Sequence, residues 1–149
     1  MSPASVLLIE DSPDDAEFAK RVFQRLPYPH TLTWADDGAQ GLLAARAAEV
    51  SPALVLMDVN LAGQSGVETL RSLKQDPALR CVPVVMLTTS KEPADVSACY
   101  AAGANSYHQK PTDFHAFERL LGQIAEYWLS TSVPPVPATK QTPPRFNPN

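Results

Sequence analysis

The chain has 149 residues, of which 44% are hydrophobic and 19% are charged, and a formal net charge of −4 at pH 7. This length and composition predict one globular domain with its own core, and no apolar run approaches the roughly 20 residues that a membrane span needs. The amino terminus lacks the basic region of a secretory signal, and no basic patch is interleaved with aromatic residues, so we expect a cytoplasmic protein that binds neither membranes nor nucleic acid.

Segments with strand and helix patterns alternate along the chain. Apolar runs predict strands at 6–9, 54–57 and 82–87, and weaker patterns predict two more at 30–34 and 105–109. Helices are predicted at 12–26, 36–49, 67–75, 93–102 and from 112 onward, with Gly103 as a natural cap after the fourth. This strict alternation predicts an α/β fold, a doubly wound five-stranded parallel sheet with helices on both faces, although it does not determine the strand order.

The first and the last predicted helices have further recognisable features. Ser12, Pro13 and the acids that follow form a helix start, with serine as N-cap and carboxylates near the positive end of the helix. The last helix has an apolar stripe that ends in Tyr127 and Trp128, beyond what a small sheet covers. We therefore expect a homodimer built on the face formed by the fourth helix, fifth strand and fifth helix. The alternative is that Trp128 packs on the domain's own last turn.

The prolines predict where the folded domain ends, and the spacing of the cysteines predicts free thiols. Six of the fifteen prolines lie in 131–149, so we predict a folded domain at 1–130 followed by a Pro-rich tail at 131–149 that docks along a partner as an extended arm. Such a tail is too short for a DNA-binding output module. Cys81 and Cys99 lack metal-type spacing and are predicted to be buried, reduced thiols.

Polar side chains follow four of the predicted strands at the point where each strand ends. Glu10 and Asp11 follow the first strand, Asp58 the third, Thr88 the fourth and Lys110 the fifth. The carboxyl ends of parallel strands share one edge of a sheet, which is where such folds bind ligands. Carboxylates about 5 Å apart repel by about 3 kcal/mol per pair at an effective dielectric of about 20, so the cluster implies a bound cation or shared protons. Oxygen ligands favour Mg²⁺, and with a lysine and a hydroxyl they can stabilise a phosphoryl group on an aspartate.

With these features the sequence resembles the receiver domains of two-component response regulators. "LLIEDSPDD" is similar to the family's acidic pair, "LVLMDVNLAGQSG" to its phosphoacceptor strand and loop, "VVMLTTS" to its switch hydroxyl, and "GANSYHQKP" to its switch aromatic and lysine. The resemblance covers about residues 4–129 and implies the strand order 2-1-3-4-5. It departs at Thr89, where the family commonly has alanine and where a bulkier side chain would narrow access to the acyl phosphate.

The resemblance also implies a role for each site residue. Asp58 would be the phosphoacceptor, Asp11 and Asp58 would bind Mg²⁺ directly with the backbone carbonyl of Asn60, and Glu10 would act through water. The switch and phosphate ligands would be Thr88, Tyr107 and Lys110. Lys110–Pro111 would be a cis peptide, because only X–Pro bonds have a small preference for trans.

The function implied is a phosphorylation switch. A sensor histidine kinase would phosphorylate Asp58, and the chain would catalyse only its own phosphorylation and dephosphorylation, then signal through protein contacts. "LTTS", "GANSYHQKP" and "AEYWL" are similar to the stand-alone regulators that partner bacterial phytochrome kinases. The alternative is a scaffold with the same fold that acts by contacts alone. A nucleotide-binding protein is disfavoured by the acidic first loop, and an aspartyl phosphatase by Asp58-Val59-Asn60, which lacks the expected D-x-D.

Overall fold

The computed structural model describes residues 3–136. Five strands are present: β1 (Ala4–Ile9), β2 (His30–Ala35), β3 (Leu54–Met57), β4 (Val84–Thr88) and β5 (Ser106–Gln109). The helices are α1 (Pro13–Gln24), α2 (Gly38–Ala47), α3 (Gly66–Gln75), α4 (Pro93–Ala101) and α5 (Phe114–Glu126), with a final π-helical turn at Tyr127–Thr131. None of the helices within residues 3–136 is long and apolar enough to cross a bilayer.

The strands form one parallel sheet in the order β2-β1-β3-β4-β5, so the predicted fold class and strand order are confirmed. Side chains that alternate along the central strands enter two separate cores. Val6 and Leu8 pack with α1 and α5, whereas Leu7 and Ile9 pack with α2, α3 and α4. Because both faces of the sheet are covered, its central strands are continuous apolar runs rather than alternating ones.

Four of the five α-helices in the described residues begin at a side-chain cap, and both caps predicted from the sequence, Ser12 and Gly103, are present. Side chains of Ser12, Asp37, Ser65 and Asp113 accept backbone N–H bonds at the starts of α1, α2, α3 and α5. Gly103 follows α4 with φ +108, as predicted for a residue in the left-handed region after a helix.

Two details differ from the sequence-based expectations, and one predicted segment lies outside the described residues. Strand β4 begins at Val84 rather than 82, because Val82 donates its N–H to Leu79 in a turn. Cys81 is exposed in this turn, so only Cys99 is the buried thiol that was predicted for both. Residues 137–149, most of the predicted tail, lie outside the described part of the chain, and the boundary at 130 stays a prediction.

Candidate functional site

Hydrogen bonds beyond the regular strands align the polar residues at one edge of the sheet. Ile9 pairs with Met57, and the ladder continues where Asp58 donates its N–H to the Ile9 carbonyl at 3.1 Å. On the other side, Lys110 donates its N–H to the Thr88 carbonyl at 2.7 Å. The polar side chains that end β1, β3, β4 and β5 are therefore brought to the same edge.

The Lys110 ammonium connects three carboxylates. Its Nζ donates to Glu10 Oε2 at 2.7 Å, to Asp15 Oδ2 at 2.9 Å and to Asp58 Oδ2 at 2.9 Å. The side chains of Lys110, Glu10 and Asp58 are only 5%, 4% and 8% exposed, while that of Asp15 is 39% exposed. Buried charges are tolerated when they are paired, and here one ammonium pairs with several carboxylates at once.

Burial and pairing shift the protonation of this cluster. Burial raises the pKa of Glu10 to about 7, although the hydrogen bond and the charge of Lys110 oppose the rise. Burial alone would lower the pKa of Lys110, but its bonds to Glu10 and Asp15 and the charge of Asp58 raise it above its ordinary value. Lys110 is therefore a permanent cation beside Asp58.

Three of these oxygen-bearing side chains suit a hard divalent cation. One carboxylate oxygen from each of Glu10, Asp11 and Asp58 lies within 4.8 Å of the other two. Lys110 neutralises only one of these charges, so the cluster keeps the negative excess and the oxygen donors that Mg²⁺ prefers. Asn60 adjoins the cluster and donates its backbone N–H to Asp58 Oδ1 at 3.0 Å, while the metal-binding role of its carbonyl stays a prediction.

The predicted switch residues meet at the loop after β4. Thr88 is fully buried, and its Oγ1 accepts the N–H of Ser90 at 3.3 Å. The hydroxyl of Tyr107 donates to the Ser90 carbonyl at 2.8 Å. Ser90 in turn donates through its Oγ to Asp95 at 2.5 Å and accepts the N–H of Glu92 at 3.3 Å. Ser90 thus links Thr88 and Tyr107 to the first turn of α4.

Sequence reasoning missed three contacts of this site. Asp15 was attributed only to the start of α1, yet its side chain reaches Lys110. Ser90 lies at a position that the receiver resemblance marks as variable, but its contact with Tyr107, 17 residues away, gave no sequence signal. Trp34 in β2 donates its Nε1–H to the Glu10 carbonyl at 2.8 Å and so anchors the backbone of the acidic pair. None of these contacts is local, so spacing along the chain could not reveal them.

One expectation about the backbone is wrong. The Lys110–Pro111 peptide bond is trans, as are the other peptide bonds in the described part of the chain. Trans remains the intrinsically favoured isomer even before proline, by about 0.5–1 kcal/mol.

Comparison with known proteins connects this geometry to a family. The family model "Response regulator receiver domain" matches residues 6–121. The probable methanogenesis regulatory protein FilR2 of Methanothrix harundinacea is 36% identical over 140 residues, which cover 91% of this chain and 90% of that protein. Response regulator Rcp1 of Synechocystis is 34% identical over 134 residues, which cover 87% of this chain and 91% of that protein.

Two solved structures of response regulators superimpose closely on this chain. The phosphorylated cyanobacterial phytochrome response regulator RcpA superimposes with a TM-score of 0.86 at 29% identity and covers 91% of this chain and 100% of its own. The Mn²⁺-bound form of Rcp1 superimposes with a TM-score of 0.82 at 33% identity and covers 90% of this chain and 100% of its own. Since the family match spans the acidic cluster and Lys110 as well as nearly all of the sheet, this chain belongs to the response regulator receiver domain family, whose members generally act as signalling proteins that accept a phosphoryl group on an aspartate.

Proposed function

We propose that Asp58 is the phosphoacceptor of this receiver and that a sensor histidine kinase is the donor. The observation that carries the proposal is the Lys110 ammonium, 2.9 Å from Asp58 Oδ2 in a site where both side chains are more than nine-tenths buried. An ammonium so placed can stabilise the negative charge that develops on a transferred phosphoryl group.

The transfer is an in-line displacement at phosphorus. A carboxylate oxygen of Asp58 attacks, the phosphorus–nitrogen bond of the donor phosphohistidine breaks, and the bond's electron pair stays on the imidazole, which leaves as a neutral ring because its other nitrogen already carries a proton. Lys110 and Thr88 would contact the phosphoryl oxygens, and water would later attack the same phosphorus to release phosphate. In this sense the chain would catalyse only its own phosphorylation and dephosphorylation.

The acidic cluster supports Mg²⁺ as the cofactor. Asp11, Asp58 and the carbonyl of Asn60 would bind the cation directly, and Glu10 would bind through water. When bound, Mg²⁺ supplies positive charge that screens the carboxylates from the incoming phosphoryl group. The Mn²⁺-bound form of Rcp1 is consistent with a divalent cation in this family.

Thr88 and Tyr107 would transmit the conformational change from the phosphorylation site to the surface of the domain. A phosphoryl oxygen that accepts the Thr88 hydroxyl hydrogen would draw this side chain toward Asp58 and away from the N–H of Ser90, whose carbonyl holds Tyr107. The loop before α4 would then rearrange and change the surface of α4 and β5. The domain at 1–130 would carry this switch, and the Pro-rich tail would contribute to protein contacts.

The relatives suggest which kinase would act on the chain. RcpA is described as a phytochrome response regulator, and a further structural match, RPA3017 of R. palustris, is described as acting in red light signalling. A phytochrome-type histidine kinase in the cytoplasm is therefore the proposed partner. Phosphotransfer from a purified bacterial phytochrome kinase to this chain, faster than from an unrelated histidine kinase, would support this pairing.

Intact-mass analysis after incubation with acetyl phosphate and Mg²⁺ tests the phosphoacceptor. Wild type should gain one phosphate, and Asp58→Asn or removal of Mg²⁺ by EDTA should abolish the gain. A phosphate gained equally by Asp58→Asn would overturn the assignment. No gain in wild type, from either acetyl phosphate or a kinase, would favour the alternative scaffold that acts by contacts alone.

A further inference from the structure

Asp15 occupies a position in α1 from which it reaches across the molecule. It is the third residue of the helix, and its backbone N–H donates to the N-cap oxygen of Ser12 at 3.2 Å. A carboxylate at this position often turns back to the N-cap N–H, but here that N–H donates to Glu10 Oε1 at 3.1 Å. The Asp15 side chain instead accepts from Lys110, 95 positions away along the chain.

The three bonds of Lys110 use its whole donor capacity. An ammonium has three N–H donors, and Glu10, Asp15 and Asp58 each take one. A phosphoryl oxygen on Asp58 can take over the donor that Asp58 now uses, but any further donor from Lys110 must come from Glu10 or Asp15. Glu10 is almost fully buried, so the loss of its bond from Lys110 would cost more free energy than the same loss at an exposed carboxylate. Asp15 is 39% exposed, so solvent can replace Lys110 there, and Asp15 is the partner that yields.

The charge of Asp15 affects the two ligands of the site in opposite ways: it favours binding of the divalent cation and disfavours binding of the phosphoryl group. The carboxylates of Glu10, Asp11 and Asp58 already lie close together, and Lys110 contacts two of them. An additional negative charge beside Lys110 attracts a divalent cation, but it repels a phosphoryl anion and occupies a donor that a second phosphoryl oxygen could otherwise accept.

We propose that Asp15 is a positioning residue that holds Lys110 in the unphosphorylated state and sets the balance of the site between cation and phosphoryl binding. This inference rests on the proposed function, because it assumes that Mg²⁺ and a phosphoryl group bind at this cluster. Phosphorylation would free Asp15 and thereby alter the amino-terminal turn of α1, a second route out of the site besides Thr88 and Tyr107.

Two variants of the full chain separate this role from a general effect of charge. Asp15→Asn removes the charge that contacts Lys110, whereas Asp14→Asn removes an exposed charge from the same first turn of α1. Both variants lose the same favourable interaction with the amino-terminal end of the helix, so their difference reports the contact with Lys110. Asp15→Glu keeps the charge and serves as a conservative replacement.

Mg²⁺ affinity is measured by calorimetry, and beryllofluoride affinity by fluorine NMR at saturating Mg²⁺. Relative to Asp14→Asn, we expect Asp15→Asn to bind Mg²⁺ about threefold or more weakly and beryllofluoride about threefold or more tightly, with both differences shrinking in high salt. Asp15→Glu should retain most of the Mg²⁺ affinity.

The opposite signs distinguish positioning from a structural defect, since a loosened site would bind both ligands more weakly. Equal affinities for the two asparagine variants, or a parallel loss of both ligands in Asp15→Asn, would overturn the inference while leaving the proposed function intact. Failure of wild type itself to bind Mg²⁺ and beryllofluoride would instead overturn the proposed function, and this inference with it.

Discussion

At the scale of single residues, burial decides how the ionisable side chains behave. Lys110 stays charged because its carboxylate partners outweigh the loss of solvent, whereas burial dominates at Glu10 and raises its pKa to about 7. His108 in β5 is a simpler case, because burial alone lowers its pKa. A group whose charged form is disfavoured in the folded state makes stability depend on pH.

His108 should make the fold less stable in mild acid. Its folded pKa lies below the unfolded value of about 6.5, so the stability that its neutral form contributes is fully present above 6.5 and is lost as the pH falls from there through the folded pKa. Urea unfolding in EDTA at pH 7.5 and 5.5 should therefore show a smaller loss of stability for His108→Gln than for wild type. Since Glu10 titrates identically in both chains, it cancels from the comparison.

The exposed His115 in α5 provides the control. His115→Gln makes the same side-chain replacement at a solvent-exposed position. If His108→Gln lost as much stability on acidification as wild type and His115→Gln, burial of His108 would not be a source of acid sensitivity.

At the scale of elements, the loop from β3 to α3 depends on a close backbone approach. Gly66, the first residue of α3, donates its N–H to the Val59 carbonyl at 2.9 Å. A β-carbon at this glycine would lie 2.2 Å from the backbone oxygen of Asp58 and 2.7 Å from the α-carbon of Val59. Because those atoms belong to the backbone that carries the proposed phosphoacceptor, a side chain here must displace it.

Gly66→Ala should lower the free energy of unfolding by about 1–3 kcal/mol, the usual cost of overpacking, and should weaken beryllofluoride binding by shifting Asp58. Gly122→Ala in α5 is the matched control, since a β-carbon there meets no atom within 4 Å. That variant should gain up to about 1 kcal/mol from helix propensity and bind beryllofluoride normally. Urea unfolding and fluorine NMR measure both effects, and normal binding by Gly66→Ala would refute the predicted shift of Asp58.

At the scale of the whole molecule, the two aromatic residues after α5 differ in burial: Trp128 packs on the core, whereas Tyr127 is exposed. Trp128 is half-buried and packs against the core between the sheet and α1 and α5, so its own domain covers part of this side chain. Tyr127 is 51% exposed and borders a groove between β5 and α5 that Trp128 and His108 also line. The homodimer on the face of α4, β5 and α5 stays a prediction, and Tyr127 is its sharper probe, because removing Trp128 would also damage the core.

Sedimentation at tens of micromolar should show that the wild type is a dimer. Tyr127→Ala should raise the dissociation constant of this dimer by about tenfold or more, as for an aromatic residue central to an interface. Exposed Phe114→Ala, at the other end of α5, is the control and should leave the dimer unchanged. Truncation after residue 136 tests the tail without disturbing the final turn, where Ser132 donates its N–H to Tyr127 at 2.7 Å. A monomeric wild type, with or without beryllofluoride, would rule out the dimer, and a truncated chain that dimerises as strongly as wild type would rule out the arm.

The sequence by itself determined the fold class and much of the candidate site. Alternating strand and helix patterns imply a parallel sheet, and in such a sheet strand ends share an edge, so Glu10, Asp11, Asp58, Thr88 and Lys110 could be placed together before any contact was known. The strand order came from the family resemblance, because pairing between distant strands leaves no mark on local pattern.

Only the tertiary structure decided which groups touch. Asp15, Trp34 and Ser90 join the site through contacts that depend on how α1, β2 and the loop before α4 pack against the sheet. The same holds for Trp128, whose place in the helical stripe fits either a core or an exposed patch until the neighbouring surface is known. Local propensity and periodicity specify an element and its apolar face, whereas side-chain partners far apart in the chain are specified by packing, burial and charge in three dimensions.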